Sequence, residues 1–330
     1  MQKRKIGDVN VSAISLGCMN LSFGYGIRPS ETEAARLLNN ALDVGYTMLD
    51  TAALYGGGAN ETLIGNTLKS RREEYMLASK CGISKNEDGS RSINGKPSEI
   101  RKVCEESLRH LQTDVIDLYY LHRLDFTVPI EESIGALAEL KQEGKIRLIG
   151  LSEMSAETIL RAHAVHPIAA VQSEYSLWTR NPEIAVLETC KEIGAAFVAF
   201  SPLARAFLTG KLQDPGALPE NDMRHGMPRF SRENYPKNLE LLEEFANLAE
   251  ECNCTMAQLA LAWLLSKDTH IIPIPGTSNN DHMVENLRAA KVTVSDDVKS
   301  CLETLINNDT VSGERYDVSA QSKIDTEQFA

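Results

Sequence analysis

Short apolar runs and longer amphipathic runs take turns along this chain, eight times over. Strands separated by a helix cannot form hairpins. Each must reach its neighbour by a crossover, and a right-handed crossover yields parallel pairing. The expected strands occupy residues 13–17, 47–50, 75–80, 115–122, 146–151, 169–173, 196–200 and 270–274. Eight such units favour closure over an open sheet, so the expected fold is an α/β (β/α)8 barrel in one domain over 1–330. A small N-terminal hairpin is expected around 5–9, where Gly7-Asp8 marks a turn.

The helix signals between the strands are local. Ser30 with Glu33 three residues later predicts a capping box at the start of a helix running to Val44, and Gly45 predicts its C-cap. Helices are also expected over 61–70, from Pro97, over 130–143 up to Gly144, from Ser155 to about 163, and over 182–193, 238–252, 256–267, 281–290 and 295–307. The tail 308–330 reads as polar and irregular. Two connections, 81–96 and 203–235, are too long for plain links and leave strand carboxyl ends, so both should overhang any site there.

Hydrophobic residues make up 42% of the 330, enough for a large core without metals or disulfides. The net charge of -12 repels phosphate backbones and anionic lipid, which argues against nucleic-acid or membrane partners. Seven scattered cysteines fit free thiols in a reducing compartment. Cys252 and Cys254 lack a second ligand pair nearby, so a helix end is the better reading there than a metal. Met1-Gln2-Lys3-Arg4-Lys5 is followed by no apolar stretch of signal-peptide length, and no run approaches the ~18 apolar residues of a membrane span. A cytoplasmic protein is expected.

Four polar residues fall at or just after strand ends: Asp50, Tyr55, Lys80 and His122. In a parallel barrel those ends converge on one face. A phenol is a weak acid, with a free pKa of about 10. A lysine ammonium beside it should lower that value, and a carboxylate would keep the ammonium charged and aimed. Neutral His122 could then orient a reacting oxygen. This set suits protonation of a carbonyl oxygen during hydride attack, and hydride requires a nicotinamide cofactor. No G-x-G-x-x-G fingerprint is present, so the cofactor would bind outside a Rossmann unit. Each residue alone has an ordinary structural explanation; the four in this order are far more specific.

These motifs resemble the aldo-keto reductase superfamily, from about residue 5 to 307. The likeness is carried by Leu49-Asp50-Thr51-Ala52 with Tyr55-Gly56, by Ser79-Lys80, by Asp117 through Arg123, and by Ile274-Pro275-Gly276-Thr277. Gly150 through Glu153 and Glu174 through Arg180 are similar to the perakine-reductase-like and auxin-induced-type branch. The resemblance implies a TIM barrel with Asp50, Tyr55, Lys80 and His122 as catalytic tetrad. It implies Ser152 and Gln172 on the nicotinamide carboxamide, Phe200 stacked on its ring, and Met19 and Asn20 near the ribose. It implies Ser201, Leu203 and Arg205 along the pyrophosphate. Gly276, Thr277, Ser278, Asn279 and His282 would meet the adenosine 2'-phosphate, with Glu285 and Asn286 at the adenine. NADPH is the implied cofactor. NADH or dual use is the alternative, because Asn279 stands near where relatives carry Lys or Arg.

The expected activity is reduction of a small-molecule aldehyde or ketone. The alternatives are a cofactor-binding sensor subunit with little turnover, and a Schiff-base lyase using Lys80 as nucleophile. Phe23, Tyr25 and Trp178 are available to wall a substrate pocket.

Overall fold

Eight strands form one parallel sheet: β3 (Leu16–Gly17), β4 (Met48–Asp50), β5 (Met76–Cys81), β8 (Ile116–Leu121), β9 (Ile146–Ser152), β10 (Ala170–Glu174), β11 (Ala196–Phe200) and β12 (Ile271–Pro273). Two antiparallel pairs complete the strand set, β1 (Lys3–Ile6) with β2 (Val9–Ser12) and β6 (Ile83–Lys85) with β7 (Arg91–Ile93). The computed structural model describes residues 2–85 and 90–329; the part of the long 81–96 connection at 86–89 lies outside the described residues.

The sheet closes on itself. Its order runs β12-β11-β10-β9-β8-β5-β4-β3. The two end strands then meet, with the Ser15 amide donating to the Pro273 carbonyl at 3.0 Å and the Gly17 amide to the Pro275 carbonyl at 3.3 Å. Gly17 and Gly276 form a parallel bridge at the same seam. A Cβ on Gly17 would come within 2.8 Å of the Ile274 carbonyl oxygen, so the seam needs a residue without one.

Closure gives each strand two buried faces, which is why β5 and β8 are buried along their whole length. Met48, Met76, Ala78, Leu118, Tyr120, Ala170, Ala196, Val198 and Ile272 pack together, separately from the larger cluster between sheet and helices. Ile6 and Val11 of the N-terminal hairpin join that inner cluster and so cover one end of the barrel. The expected hairpin and barrel are both present.

The helices are α1 (Glu31–Val44), α2 (Ala59–Leu68), α3 (Pro97–Leu111), α4 (Ile130–Gln142), α5 (Ala156–Val165), α6 (Val186–Glu192), α7 (Tyr235–Leu239), α8 (Leu241–Glu251), α9 (Met256–Lys267), α10 (Asn280–Arg288), α11 (Asp296–Leu305) and α12 (Val318–Gln321). The capping box of Ser30 and Glu33 forms, and Gly45 caps α1 at φ 106°. Pro97 opens α3 and Ser155 caps α5. The cysteines at 252 and 254 follow the end of α8.

Two expectations differ from what is found. The stretch 182–193 divides into a 3-10 turn (Asn181–Glu183) and α6, and 238–252 divides between α7 and α8. The tail, irregular over most of its length as expected, is nevertheless anchored and forms one short helix, α12. Asp325 accepts hydrogen bonds from the Ser155 amide and hydroxyl and the Thr158 hydroxyl at 2.7–3.1 Å, at the N-terminus of α5. Helix starts carry unsatisfied amides and favour a carboxylate, which explains the anchor. No helix among the described residues is long and apolar enough to cross a membrane.

Candidate active site

Parallel strands deliver their carboxyl ends to one rim. Asp50 closes β4, Lys80 is the penultimate residue of β5, and His122 follows β8. Tyr55 lies in the turns after β4, before Gly58 opens α2. All four are buried. The Lys80 ammonium donates to Asp50 Oδ1 and, at 2.8 Å, to the Thr51 carbonyl. The second Asp50 oxygen accepts from the Gln172 amide nitrogen at 2.7 Å. The ammonium lies 5.2 Å from the Tyr55 ring centroid, and the His122 ring meets Tyr55 edge-on at 6.1 Å.

The electrostatics of these groups diverge. Burial pulls the Lys80 pKa down, but Asp50 and Tyr55 outweigh it and the net direction is up. Lys80 is therefore an ammonium, not the free amine that Schiff-base chemistry needs. Burial drives His122 well below its ordinary value, aided by Arg123 and Lys80, so its imidazole is neutral as expected. Tyr55 departs from expectation. Lys80 does pull its pKa down, but burial pushes harder and the phenol is raised above its ordinary value. The sequence shows the neighbouring cation but not the depth at which the phenol is buried.

Asp50, Tyr55 and His122 line a cavity of about 1280 Å³, and Lys80 lies behind them. Met19, Asn20, Ser152, Gln172, Phe200, Ser201, Leu203, Arg205, Gly276, Thr277, His282, Glu285 and Asn286 line the same cavity. Ser278 and Asn279 do not; they are exposed where α10 begins, and Asn279 caps that helix by accepting from the Asp281 and His282 amides. Gly276 lets Asn20 approach, since a Cβ there would meet Asn20 Oδ1 at 2.5 Å. Phe23 and Tyr25 also line the cavity, whereas Trp178 is a packing residue stacked on Phe207 at 4.1 Å.

Arg205 sits in the wall, but its guanidinium is taken. It donates to Glu174 at 2.6 Å and to the Tyr25 and Tyr316 hydroxyls at 3.1 Å. Arg315 of the tail joins Glu174 to Glu153 at 3.1 and 2.7 Å. Burial would raise the Glu174 carboxyl, but Arg205 and Arg315 hold it down at about 2.

Sequence reasoning missed Lys211, Arg91, Arg123 and Tyr316, all of which line the cavity. Lys211 lies in the 203–235 connection, which its length had already marked. Tyr316 lies in the tail, where a polar composition can suggest a wall for the pocket but marks no particular residue of it.

The comparisons with known proteins agree with this geometry. Residues 13–307 match the model of the aldo/keto reductase family. The chain is 46% identical to the Schizosaccharomyces pombe "Aldo-keto reductase yakc [NADP(+)]", covering 97% of this chain and 96% of that relative. Among solved structures it resembles the glycerol dehydrogenase AKR11B4 of Gluconobacter oxydans, with a TM-score of 0.84, 29% identity and coverage of 92% and 94% of the two chains. It also resembles an aldo/keto reductase of Klebsiella pneumoniae in complex with NADP and acetate, with a TM-score of 0.73, 25% identity and coverage of 96% and 99%. A family match over most of the chain, on a closed barrel with these four residues at one rim, means that the protein belongs to the aldo/keto reductase family of oxidoreductases.

Proposed function

We propose that the protein reduces an aldehyde or ketone to the alcohol with NADPH, Tyr55 being the proton donor. The observation that carries this is the buried Asp50–Lys80 pair directed at Tyr55 beside a neutral His122, on the wall of a cavity large enough for cofactor and substrate. The cofactor, when bound, supplies the hydride. Tyr55 gives its proton to the carbonyl oxygen, and the Lys80 ammonium stabilises the phenolate left behind. Asp50 keeps Lys80 charged and in place, and His122 holds the reacting oxygen by a neutral hydrogen bond.

The wall residues fit the cofactor. Ser152 and Gln172 would hold the carboxamide, and Phe200 would offer its ring face to the nicotinamide. Met19 and Asn20 would sit near the ribose, Ser201, Leu203 and Arg205 along the pyrophosphate, and Glu285 and Asn286 at the adenine. Arg205 acts there through its loop, since Glu174 already holds its charge. Lys211, which pairs with no carboxylate among the described residues, supplies a cation to that wall. Gly276, Thr277, Ser278, Asn279 and His282 would meet the 2'-phosphate. NADPH is favoured because the Schizosaccharomyces pombe relative is named for NADP(+) and the Klebsiella pneumoniae structure is a complex with NADP; NADH is the runner-up. One catalytic domain over 1–330 is supported by the tail's Arg315, which pairs with Glu153 and Glu174 inside the barrel rim. The likeness of the segments around Ser152 and Trp178 is the support for reading the chain as close to the perakine-reductase-like and auxin-induced-type branch.

The test is Tyr55→Phe, assayed with NADPH and NADH against a panel of small aldehydes. Loss of a general acid should lower kcat by about 10²–10⁴-fold, with cofactor affinity, followed by nicotinamide fluorescence, retained. Wild-type turnover in that variant would overturn the assignment. Tight cofactor binding by the wild type without any turnover would favour a sensor subunit.

A further inference from the structure

Phe23 lies parallel to the Tyr55 ring, centroids 6.0 Å apart, and the Arg91 guanidinium sits over Phe23 at 4.4 Å. Arg91 belongs to β7, one arm of the hairpin built from the long connection after β5. All three residues line the cavity. The aromatic stack fixes the plane of the guanidinium, so its N–H edges remain free for an acceptor. No carboxylate or other acceptor among the described residues takes them.

A second guanidinium flanks the same place. Arg123 follows His122, and its Nη1 donates to the His122 carbonyl at 2.6 Å and to the Ser152 hydroxyl at 3.2 Å. It has no carboxylate partner among the described residues either. The carboxylates on the cavity wall are engaged or distant from Tyr55. Asp50 is held by Lys80, Asp317 accepts from the Ala320 amide, and Glu285 lies on α10. Among the described residues, then, two guanidiniums without a carboxylate partner line the cavity beside Tyr55 and His122. The phosphates of a dinucleotide do not account for them, because the expected phosphate wall runs from Ser201 to the start of α10, whereas Arg91 is stacked on the Tyr55 side.

We propose, building on the carbonyl-reductase reading, that the substrate is an aldehyde or ketone bearing an oxyanion, carboxylate or phosphate, roughly a ring's length from the carbonyl, and that Arg91 selects it. With the carbonyl oxygen at Tyr55 and His122, the oxyanion reaches the Arg91 edge across the face of Phe23. Arg123, beside His122 in the same cavity, adds attraction. Arg91 is exposed at the cavity's edge, so a guanidinium–oxyanion pair there is open to salt, yet its charge-assisted hydrogen bonds still discriminate between charged and neutral compounds of the same shape.

Matched pairs test this. 4-Carboxybenzaldehyde is compared with methyl 4-formylbenzoate, and D-glyceraldehyde 3-phosphate with D-glyceraldehyde. The expected result is a kcat/KM advantage of about tenfold or more for an anion over its neutral counterpart, chiefly through KM. Arg91→Met should collapse that ratio towards unity, and Arg91→Lys should restore part of it. Added salt should erode the preference. The pair that shows it distinguishes carboxylate from phosphate. Neutral compounds turned over as well as both anions, or a ratio unchanged in Arg91→Met, overturns the proposal. So does a carboxylate that only inhibits and does so equally in Arg91→Met, since it then sits on Tyr55 and His122 in reverse. Calorimetric titration of the four compounds into the NADP+-loaded protein gives a readout without turnover. Arg91-dependent binding with no reduction of any of them would sink the carbonyl-reductase reading and leave the anion site standing. If Arg91→Met does not give the wild-type circular dichroism spectrum, Arg91→Gln replaces it.

Discussion

Tyr55 is held between burial, which raises its pKa, and Lys80, which lowers it. The balance keeps the phenol protonated at rest, as the proposed proton-donor role requires, with the cation in place for the charge that would develop as the proton leaves. Glu174 shows the opposite balance. Burial would raise its carboxyl, yet Arg205 and Arg315 depress it from the ordinary 4.5 to about 2. A depressed carboxylate contributes stability that is present above its unfolded pKa and lost as pH falls through the folded one. Wild-type stability should therefore fall by on the order of 3 kcal/mol from this group between those two values. Glu174→Gln should flatten that acid limb, and should cost about 3–5 kcal/mol at neutral pH by leaving buried guanidiniums unpaired. Urea midpoints measured against pH check both. An acid limb as steep as wild type would show that another group carries it.

At the scale of elements, what reads clearly from sequence is what is decided locally. Ser30 with Glu33, Gly45, Pro97 and Ser155 set helix ends through hydrogen bonds and backbone sterics within a turn, and all act as expected. The loop after β11 is different. Ser201, Ala204, Arg205 and Ala206 all take positive φ, at 49°, 50°, 56° and 78°. Nothing in those residue types announces it; non-glycine residues adopt this region only when surrounding contacts impose it. Here Arg205 is tied to Glu174, Tyr25 and Tyr316. Removing the Cβ at Ala206 relieves strain but adds chain entropy to the unfolded state. Ala206→Gly should stabilise the fold by about 0.5–1 kcal/mol, raising Tm, because the left-handed penalty exceeds the entropy of glycine. The same change should weaken cofactor binding by loosening the wall. A lower Tm would show that the strain is not where the dihedral angles place it.

At the scale of the molecule, closure of the barrel needs a close backbone approach between residues far apart in sequence. Gly17→Ala would press a methyl against the Ile274 carbonyl at the seam of β3 and β12. It should destabilise by about 1–3 kcal/mol, read as a lower thermal midpoint with the far-ultraviolet spectrum preserved at room temperature. An unchanged midpoint would mean that the seam opens without cost.

Alternation of apolar and amphipathic runs was enough, by itself, to determine a parallel barrel, because side-chain periodicity and the handedness of crossovers leave few other ways to bury those runs. The order of Asp50, Tyr55, Lys80 and His122 at strand ends was enough to bring them to one rim. Only the tertiary structure decided how deeply Tyr55 is buried and hence which way its pKa moves. It also decided that Arg315, 162 residues from Glu153, pins the tail inside the rim, and that Arg91 lies over Phe23. Charge balance and burial at a point depend on every element that converges there, and that convergence is a property of the closed barrel rather than of any segment that enters it.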